Sequence, residues 1–105
     1  MMDEKFVSER LGRLRTQKDV SARDMSLSMG QANNYINSIE NGKAMPSMQG
    51  LFYICEYLKI SPKEFFDDEV SHPALVNEIV AQLKTLNEEN LNTILALTHQ
   101  LQNKK

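Results

Sequence analysis

Residues 20–43 read VSARDMSLSMGQANNYINSIENGK. Ser21 precedes an apolar pair, Met25 and Met29, at the i, i+4 spacing of a helix, and its hydroxyl can accept a hydrogen bond from the first turn. Gly30 follows this pair and can adopt the positive φ at which many helices end. The stretch therefore predicts a helix over 22–29, a tight turn, and a second helix over 32–40.

The predicted second helix has two chemically different faces. At 100° per residue, Ala32 shares one face with two isoleucines, whereas the opposite face carries carboxamides and a hydroxyl. This polar face carries Asn34, Asn37, Ser38 and Asn41, flanked by Asn33 and Tyr35. The side chains of Asn33, Asn34, Asn37 and Ser38 all carry both hydrogen-bond donors and acceptors. A helix-turn-helix unit places its second helix in the major groove of DNA, where an Asn side chain can form two hydrogen bonds with adenine. These four residues are therefore candidates for base contacts, and a solvated polar face is the alternative.

Helical periodicity continues over the rest of the chain, so we expect an all-α protein. The apolar spacing predicts further helices over 7–18, 47–58, 62–66, 73–86 and 88–102. Ser47, Ser61 and Asn87 stand where they can cap the helices that follow them. Along 47–58 the predicted apolar stripe consists of Met48, Leu51, Phe52, Cys55 and Leu58.

Composition excludes several classes of protein. The chain has 105 residues, of which 41% are hydrophobic and 25% charged, as in ordinary globular domains. No apolar run reaches the roughly 18 residues of a membrane helix, and the N-terminal segment lacks the apolar stretch of a signal peptide. Cys55 is the single cysteine and cannot form an internal disulfide, so we expect it in the core of a cytoplasmic protein.

The net charge of -2 is distributed unevenly. Residues 1–66 contain nine Lys and Arg against eight Asp and Glu, whereas residues 67–105 contain three against six. The first part can therefore offer a modest basic face to phosphates. Arg10, Arg13 and Arg23 are interpreted as surface residues, either near phosphates or simply solvated.

Residues 6–66 resemble the Cro/CI-type, or XRE-type, helix-turn-helix family of phage and bacterial regulators. The run Ile39-Glu40-Asn41-Gly42-Lys43, with a proline three residues later, is a fairly specific mark of that family. The other residues that carry the resemblance are Leu11, Leu14, Arg15, Val20, Ser21, Met25, Met29, Gly30, Ile36, Pro46, Ser47, Leu51, Leu58, Ile60, Ser61, Glu64, Phe65 and Phe66. The resemblance implies a five-helix lambda-repressor-like DNA-binding domain, and it leaves the last 39 residues outside.

The resemblance also implies roles for individual residues. The family's base contacts fall on Asn33, Asn34 and Ser38, with Asn37 close by. The residues that correspond to contacts with the DNA backbone are Arg23, Gln31, Tyr35, Asn41 and Lys43. Arg15 and Glu40 match a structural ion pair that joins the first helix to the end of the third.

The chain departs from the family pattern in four respects, one of which is Gln31, since an apolar residue is common there after the turn glycine. Ala22 stands where most members carry a Gln that holds a phosphate, and the second helix of the motif has no Arg or Lys. Leu27 is apolar on a face that is often charged. The uncharged second helix of the motif and the acidic pI of about 5.6 favour an alternative function, a protein-interaction module such as an antitoxin or anti-activator with weak or no DNA binding. Such a module would bind its partner through Leu27 or the C-terminal tail.

The acidic run 67–69 marks an expected boundary between a DNA-binding domain, 1–68, and a C-terminal helical hairpin, 69–105. Both helices of this hairpin are amphipathic and must bury their apolar stripes. We expect a homodimer interface formed by Leu75, Ile79, Leu83, Leu91, Ile94, Leu95 and Leu101. Packing of the hairpin on its own domain is the alternative.

The sequence shows no motif for metal binding, serine catalysis or phosphate binding. His72 and His99 are 27 residues apart without further metal-ligand spacing, and neither a Gly-x-Ser-x-Gly elbow nor a phosphate loop occurs. We therefore predict no enzyme activity, no metal, no cofactor, no membrane contact and no small-molecule ligand. The predicted function is a sequence-specific transcription regulator, a repressor by family analogy, that binds double-stranded DNA at a near-palindromic operator as a homodimer.

Overall fold

The computed structural model describes residues 2–103, and within that range the chain forms seven α-helices and no strand. The helices are α1 (Glu4–Gln17), α2 (Ala22–Ser28), α3 (Tyr35–Glu40), α4 (Met48–Leu58), α5 (Pro62–Phe65), α6 (Pro73–Leu83) and α7 (Glu88–Gln102). The all-α architecture expected from the periodicity is thus confirmed.

Side chains cap the N-termini of five helices. Each capping oxygen accepts a hydrogen bond from a backbone amide three residues later, at 2.8–3.1 Å. The capping residues are Asp3, Ser21, Ser47, Ser61 and Asn87. The last four were predicted from the sequence, and at α5 the Glu64 carboxylate completes the capping box by accepting from the amide of Ser61.

Three helix ends differ by three residues from the predicted bounds. Helix α1 begins three residues early, at Glu4, because Asp3 caps it there. Helix α3 begins at Tyr35 rather than at 32, because residues 32–34 form a turn in which the Tyr35 amide donates to the carbonyl of Ala32 at 3.0 Å. Helix α6 ends at Leu83, and a turn leads from there to the cap of α7.

The hydrophobic core lies among α1–α5. It contains twelve buried apolar residues, and all five helices contribute to it. They are Val7, Leu11, Leu14, Met25, Ile36, Ile39, Leu51, Ile54, Cys55, Leu58, Ile60 and Phe65. At about 25 cal/mol per Å² of apolar surface, burial of these side chains is the main favourable contribution to folding of this part.

The predicted apolar stripe of α4 was partly wrong. Met48 and Phe52 are 68% and 50% exposed, and Ile54, which was not in the predicted stripe, is 1% exposed. Helix α4 comes close to α3 at Gly50, where an added Cβ would lie 2.5 Å from the hydroxyl of Tyr35. A larger side chain at position 50 would therefore require the hydroxyl end of Tyr35 to move.

The interpretation of Arg10 as a surface residue was also wrong, since this side chain is only 2% exposed. Its Nε donates to the carbonyl of Phe65 at 2.7 Å, and Nη2 lies 2.8–3.2 Å from the carbonyl oxygens of Glu64, Asp67 and Val70. Burial lowers the pKa of Arg10 from the usual value of a guanidinium. Arg10 therefore ties α1 to the end of α5 and to the loop that follows.

The chain divides into two compact units, Met1–Ala74 and Leu75–Lys105. The first unit extends past the expected boundary at 68, because Arg10 binds the loop after α5 and Pro73 is buried. In the second unit, α6 and α7 leave most of their apolar side chains exposed, and α7 has no buried residue.

Candidate nucleic-acid interface

Helices α2 and α3 are joined by a tight turn centred on Gly30. Helix α2 ends at Ser28 with Met29 as its C-cap residue, and Gly30 has a φ of +74°. The amide of Gly30 donates to the carbonyl of Leu27, and the amide of Gln31 donates to the carbonyl of Ser26, both at 3.0 Å. This is a Schellman ending, in which a left-handed glycine satisfies the last carbonyls of the helix.

A buried hydroxyl holds α3 against α2. Ser26 Oγ donates to the carbonyl of Ala22 at 2.8 Å and accepts from the backbone amide of Ile36 at 3.0 Å. Both Ser26 and Ile36 are fully buried. The amide of Ile36 lies in the first turn of α3, where backbone donors have no partner within the helix, and the serine supplies one. Sequence reasoning missed this residue, since a serine between two apolar residues gave no signal beyond its small size.

The two faces of α3 are separated as the periodicity predicted, except that Ala32, which was expected on the apolar face, is exposed in the turn before the helix. Ile36 and Ile39 are buried in the core. Asn33, Asn34 and Asn37 are exposed on the outer side, at the start of the helix and in its first turn. The structure therefore presents three carboxamides together at the outer surface of α3, with Ser38 partly buried beside them.

The side chains of these three asparagines form no hydrogen bond within the described part of the chain. Asn34 is the N-cap residue of α3, yet its side chain makes no capping hydrogen bond. Within residues 2–103, the side chains of Asn33 and Asn37 take part in no hydrogen bond either. Asn is a poor helix former, and where it is useful in helices it normally caps them. Neither helix propensity nor capping therefore accounts for Asn37, and the Asn34 side chain is not used as a cap.

The end of α3 exposes a further group of candidates. Gly42 has a φ of +75°, and the carbonyl of Ser38 accepts from the amides of Lys43 at 2.9 Å and Ala44 at 3.2 Å. This ending leaves the side chains of Asn41 and Lys43 exposed on the C-terminal side of α3. Lys43 supplies a positive charge there.

The other three residues expected at the DNA backbone lie in different environments. Arg23 is exposed in the first turn of α2, where Ala22 replaces the family's Gln and is partly buried. Gln31 is partly buried directly after the turn. Tyr35 is also partly buried and packs against the core, with its hydroxyl close to Gly50. Of these three, Arg23 is therefore the most accessible.

Arg15 and Glu40 join α1 to the end of α3. Arg15 Nε lies 2.6 Å from Glu40 Oε2, and Nη2 lies 3.0 Å from Oε1, so the contact is bidentate. Arg15 Nη1 also donates to the carbonyl of Val20 at 2.7 Å. The hydrogen bond with Glu40 raises the pKa of Arg15. One guanidinium thus holds α1, the segment before α2, and the end of α3 together.

Comparison with known proteins agrees with this geometry. A helix-turn-helix family model matches residues 11–65, which is more than half of the chain. The chain belongs to the Cro/CI-type helix-turn-helix family. Neither a curated protein nor a solved structure gives a significant match. The helix-turn-helix family is one of DNA-binding regulatory domains and not of enzymes, so the protein is a DNA-binding transcription regulator with a lambda-repressor-like fold.

Among residues 2–103 there is no group of three or more His, Cys, Asp or Glu positioned to hold a metal ion. None of the helices described is long and apolar enough to cross a membrane. Cys55 is buried, and burial raises its pKa to about 11. The helix-turn-helix domain therefore presents α3 and its flanks as its candidate functional surface.

Proposed function

We propose that this regulator is a repressor that binds a near-palindromic operator as a homodimer. Helix α3 enters the major groove and contacts bases through Asn33, Asn34, Asn37 and Ser38. Arg23, Gln31, Tyr35, Asn41 and Lys43 contact the sugar-phosphate backbone and position the helix. A protein bound in this way at a promoter in the bacterial cytoplasm competes with RNA polymerase for the same DNA.

The observation that carries base recognition is the exposed group of carboxamides on α3. Three exposed Asn side chains lie within five residues, and none of them is engaged within the described part of the chain. At Asn37, which lies within α3, a solvated surface would be more stable with a good helix former such as Glu, Lys or Ala. Groups that can donate and accept at the same time match the edges of bases in the major groove.

The homodimer rests on the exposed apolar side chains of α6 and α7. Leu75, Ile79, Leu95 and Leu101 are 50–60% exposed, and Leu91 and Ile94 are 39% and 37% exposed. Exposed apolar surface of this extent is typical of interaction sites, and a second copy offers the same surface in return. Two-fold symmetry of the protein then requires two half-sites about 10 bp apart.

The test is selection of duplexes from a random DNA library with the purified protein at about 50 mM salt, where phosphate contacts are strong. We expect enrichment of a near-palindromic consensus. A parallel selection uses the variant in which Asn33, Asn34, Asn37 and Ser38 are all changed to Ala, and its folding is checked by circular dichroism. Loss of the consensus in the folded variant identifies the base-contacting helix.

Absence of enrichment with the folded wild-type protein would overturn the repressor proposal. It would favour the protein-interaction module instead, for which the 50% exposed Leu27 of α2 is the candidate contact. Salt dependence gives an independent check. With few basic residues near α3, log K should fall with log salt at a shallow slope, at about -0.9 per phosphate neutralised.

A further inference from the structure

The accessible side chains on α3 and the turn before it are chemically uniform. Residues 31–39 contain no Arg, Lys, Asp or Glu. Their exposed side chains are the methyl group of Ala32 and the carboxamides of Asn33, Asn34 and Asn37. The surface that faces the bases in the proposed complex thus offers methyl and carboxamide groups, the partly buried hydroxyl of Ser38, and no charge.

Each base pair requires different partners in the major groove. Guanine is contacted most often by Arg or Lys at O6 and N7, and the N4 amino group of cytosine is matched by Glu or Asp. Adenine presents N7 as an acceptor and N6 as a donor, which an Asn carboxamide matches with two hydrogen bonds. Thymine presents a C5-methyl group, which contacts apolar side chains such as Ala.

We infer that the protein recognises A·T base pairs in its operator half-site, through Asn33, Asn34 and Asn37 at adenines and Ala32 at a thymine methyl group. This inference rests on the proposed function and specifies the class of DNA that it requires. The chain lacks, on this surface, the side chains that discriminate guanine and cytosine.

The position of these residues at the start of α3 supports the inference. Helix α3 begins only at Tyr35, so Ala32, Asn33 and Asn34 lie in the turn that precedes it. The N-terminal residues of a recognition helix are those that contact base edges in this motif. Asn side chains are short, so they reach bases only where the backbone comes close. The small side chain of Ala32 permits such an approach.

Asn37 extends the same surface by one turn. It lies three residues after Asn34, and residues at this spacing are neighbours on a helix surface. Since the Asn34 side chain does not cap α3, both carboxamides are available to ligands on the same side of the helix. Neighbouring carboxamides of this kind suit successive adenines better than isolated ones.

The experiment replaces single atoms in the consensus duplex obtained from the selection. Each adenine is replaced in turn by 7-deazaadenine, which lacks the N7 acceptor but keeps Watson-Crick pairing. Each thymine is replaced by uracil, which lacks the methyl group. Binding of the unmodified full-length protein is measured by fluorescence anisotropy. We expect affinity to fall about 2- to 10-fold for loss of one hydrogen bond and about fourfold for loss of one methyl contact.

Protein variants connect each effect to a residue. The Asn37→Ala variant should bind the consensus about 5- to 150-fold more weakly, the discrimination given by a bidentate contact. It should also lose its sensitivity to 7-deazaadenine at one position of each half-site. Ala32→Gly should likewise lose its sensitivity to uracil at one position. Asn92→Ala, an exposed Asn of α7, is the matched control and should retain every sensitivity.

Two results would overturn the inference while leaving the proposed function intact. The first is a consensus with G·C pairs at the positions where replacement of the Asn side chains by Ala removes the sequence preference. The second is an A·T-rich consensus whose affinity does not change with either base analogue, since the DNA shape would then be recognised instead of the base edges. Selection that yields no consensus at all would overturn the proposed function itself.

Discussion

Ser26 Oγ accepts a hydrogen bond from the backbone amide of Ile36 at 3.0 Å, across the turn that joins α2 to α3. The same hydroxyl donates to the carbonyl of Ala22, so its hydrogen position is determined by that bond. Ser26 and Ile36 are both fully buried. The angle at which α3 projects from the domain therefore depends on a polar contact inside the core, in addition to apolar packing.

The Ser26→Ala variant should be less stable, because it leaves the amide of Ile36 buried without an acceptor. We expect the free energy of unfolding to fall by about 1–3 kcal/mol, the cost of an unsatisfied buried donor. Urea denaturation followed by circular dichroism measures this change. Ser28→Ala is the matched control, since Ser28 is exposed at the end of the same helix and should change stability by less than about 0.5 kcal/mol. Equal stability of the two variants would contradict a role for the Ser26 hydroxyl.

The Arg15–Glu40 pair should be coupled in a double-mutant cycle. Both side chains are largely but not fully buried, with 20% and 14% exposed. We therefore expect a coupling energy of about 1–3 kcal/mol, between the values for exposed and buried pairs. Arg15→Lys should recover only part of it, because an ammonium cannot form the bidentate contact. Additive effects of Arg15→Met and Glu40→Gln on urea denaturation would show that the pair contributes nothing.

Arg10 should be required for stability and not for DNA contacts. Arg10→Met keeps the apolar stem but removes the donors to four backbone carbonyls, so we expect a loss of more than about 3 kcal/mol. Arg13→Met is the control, because Arg13 is exposed in the same helix and should change stability by less than about 0.5 kcal/mol. The folded fraction of the Arg10 variant should bind DNA normally. Weakened binding at unchanged stability would instead place Arg10 at a phosphate.

Much of the fold could be predicted because the decisive signals are local. The caps Ser21, Ser47, Ser61 and Asn87 depend on side chains within three residues of the amide they bind. The fold class and family followed from helical periodicity and from the run of residues 39–43. Helix α7 begins and ends where the sequence predicted, because a cap and two acidic residues define its start.

Contacts between distant elements could not be predicted in the same way. Periodicity gives the width of an apolar stripe but not its rotation, and Met48 was placed in the core whereas Ile54, outside the predicted stripe, is buried there instead. Arg10 was placed at the surface because its partners lie 54–60 residues away. In both cases the deciding contact is made by residues that only the tertiary fold brings together.

In the candidate site, too, some features follow from the local sequence pattern and others do not. The exposed Asn side chains of α3 were predicted, since amphipathicity determines which side faces outward. The late start of α3 was not predicted, because the turn at residues 32–34 keeps an apolar and polar pattern that a helix would also show. The role of Ser26 was not predicted, because its hydroxyl accepts a hydrogen bond from a backbone amide ten residues away.

Cys55 should be unreactive in the folded protein. Burial raises its pKa to about 11, so at pH 8 only about one molecule in a thousand carries the thiolate. The neutral thiol is favoured by the fold, and the stability linked to it is present below the usual pKa of 9.0 and is lost as the pH rises toward 11. A colorimetric thiol reagent at pH 8 should label the native chain far more slowly than the chain in urea. Equal labelling rates would contradict burial of Cys55.

The hairpin of α6 and α7 should determine the oligomeric state. Sedimentation equilibrium of the full chain should give twice the chain mass of 12.0 kDa at micromolar concentration. Ile79→Glu and Leu95→Glu each place a charge at a side chain that is about half exposed in one chain, and burial of that charge in a dimer would be costly. Both variants should therefore sediment as monomers.

Gln82→Glu is the matched control for the two charge substitutions. It introduces the same charge at an exposed polar position of α6 and should leave the dimer unchanged. The monomeric variants should also lose affinity for a two-half-site duplex but not for a single half-site, since each protomer keeps its own α3. If Ile79→Glu and Gln82→Glu have the same effect on mass, general charge repulsion would explain dissociation. If the wild-type chain itself sediments at 12.0 kDa, the hairpin has another partner and the operator need not be symmetric.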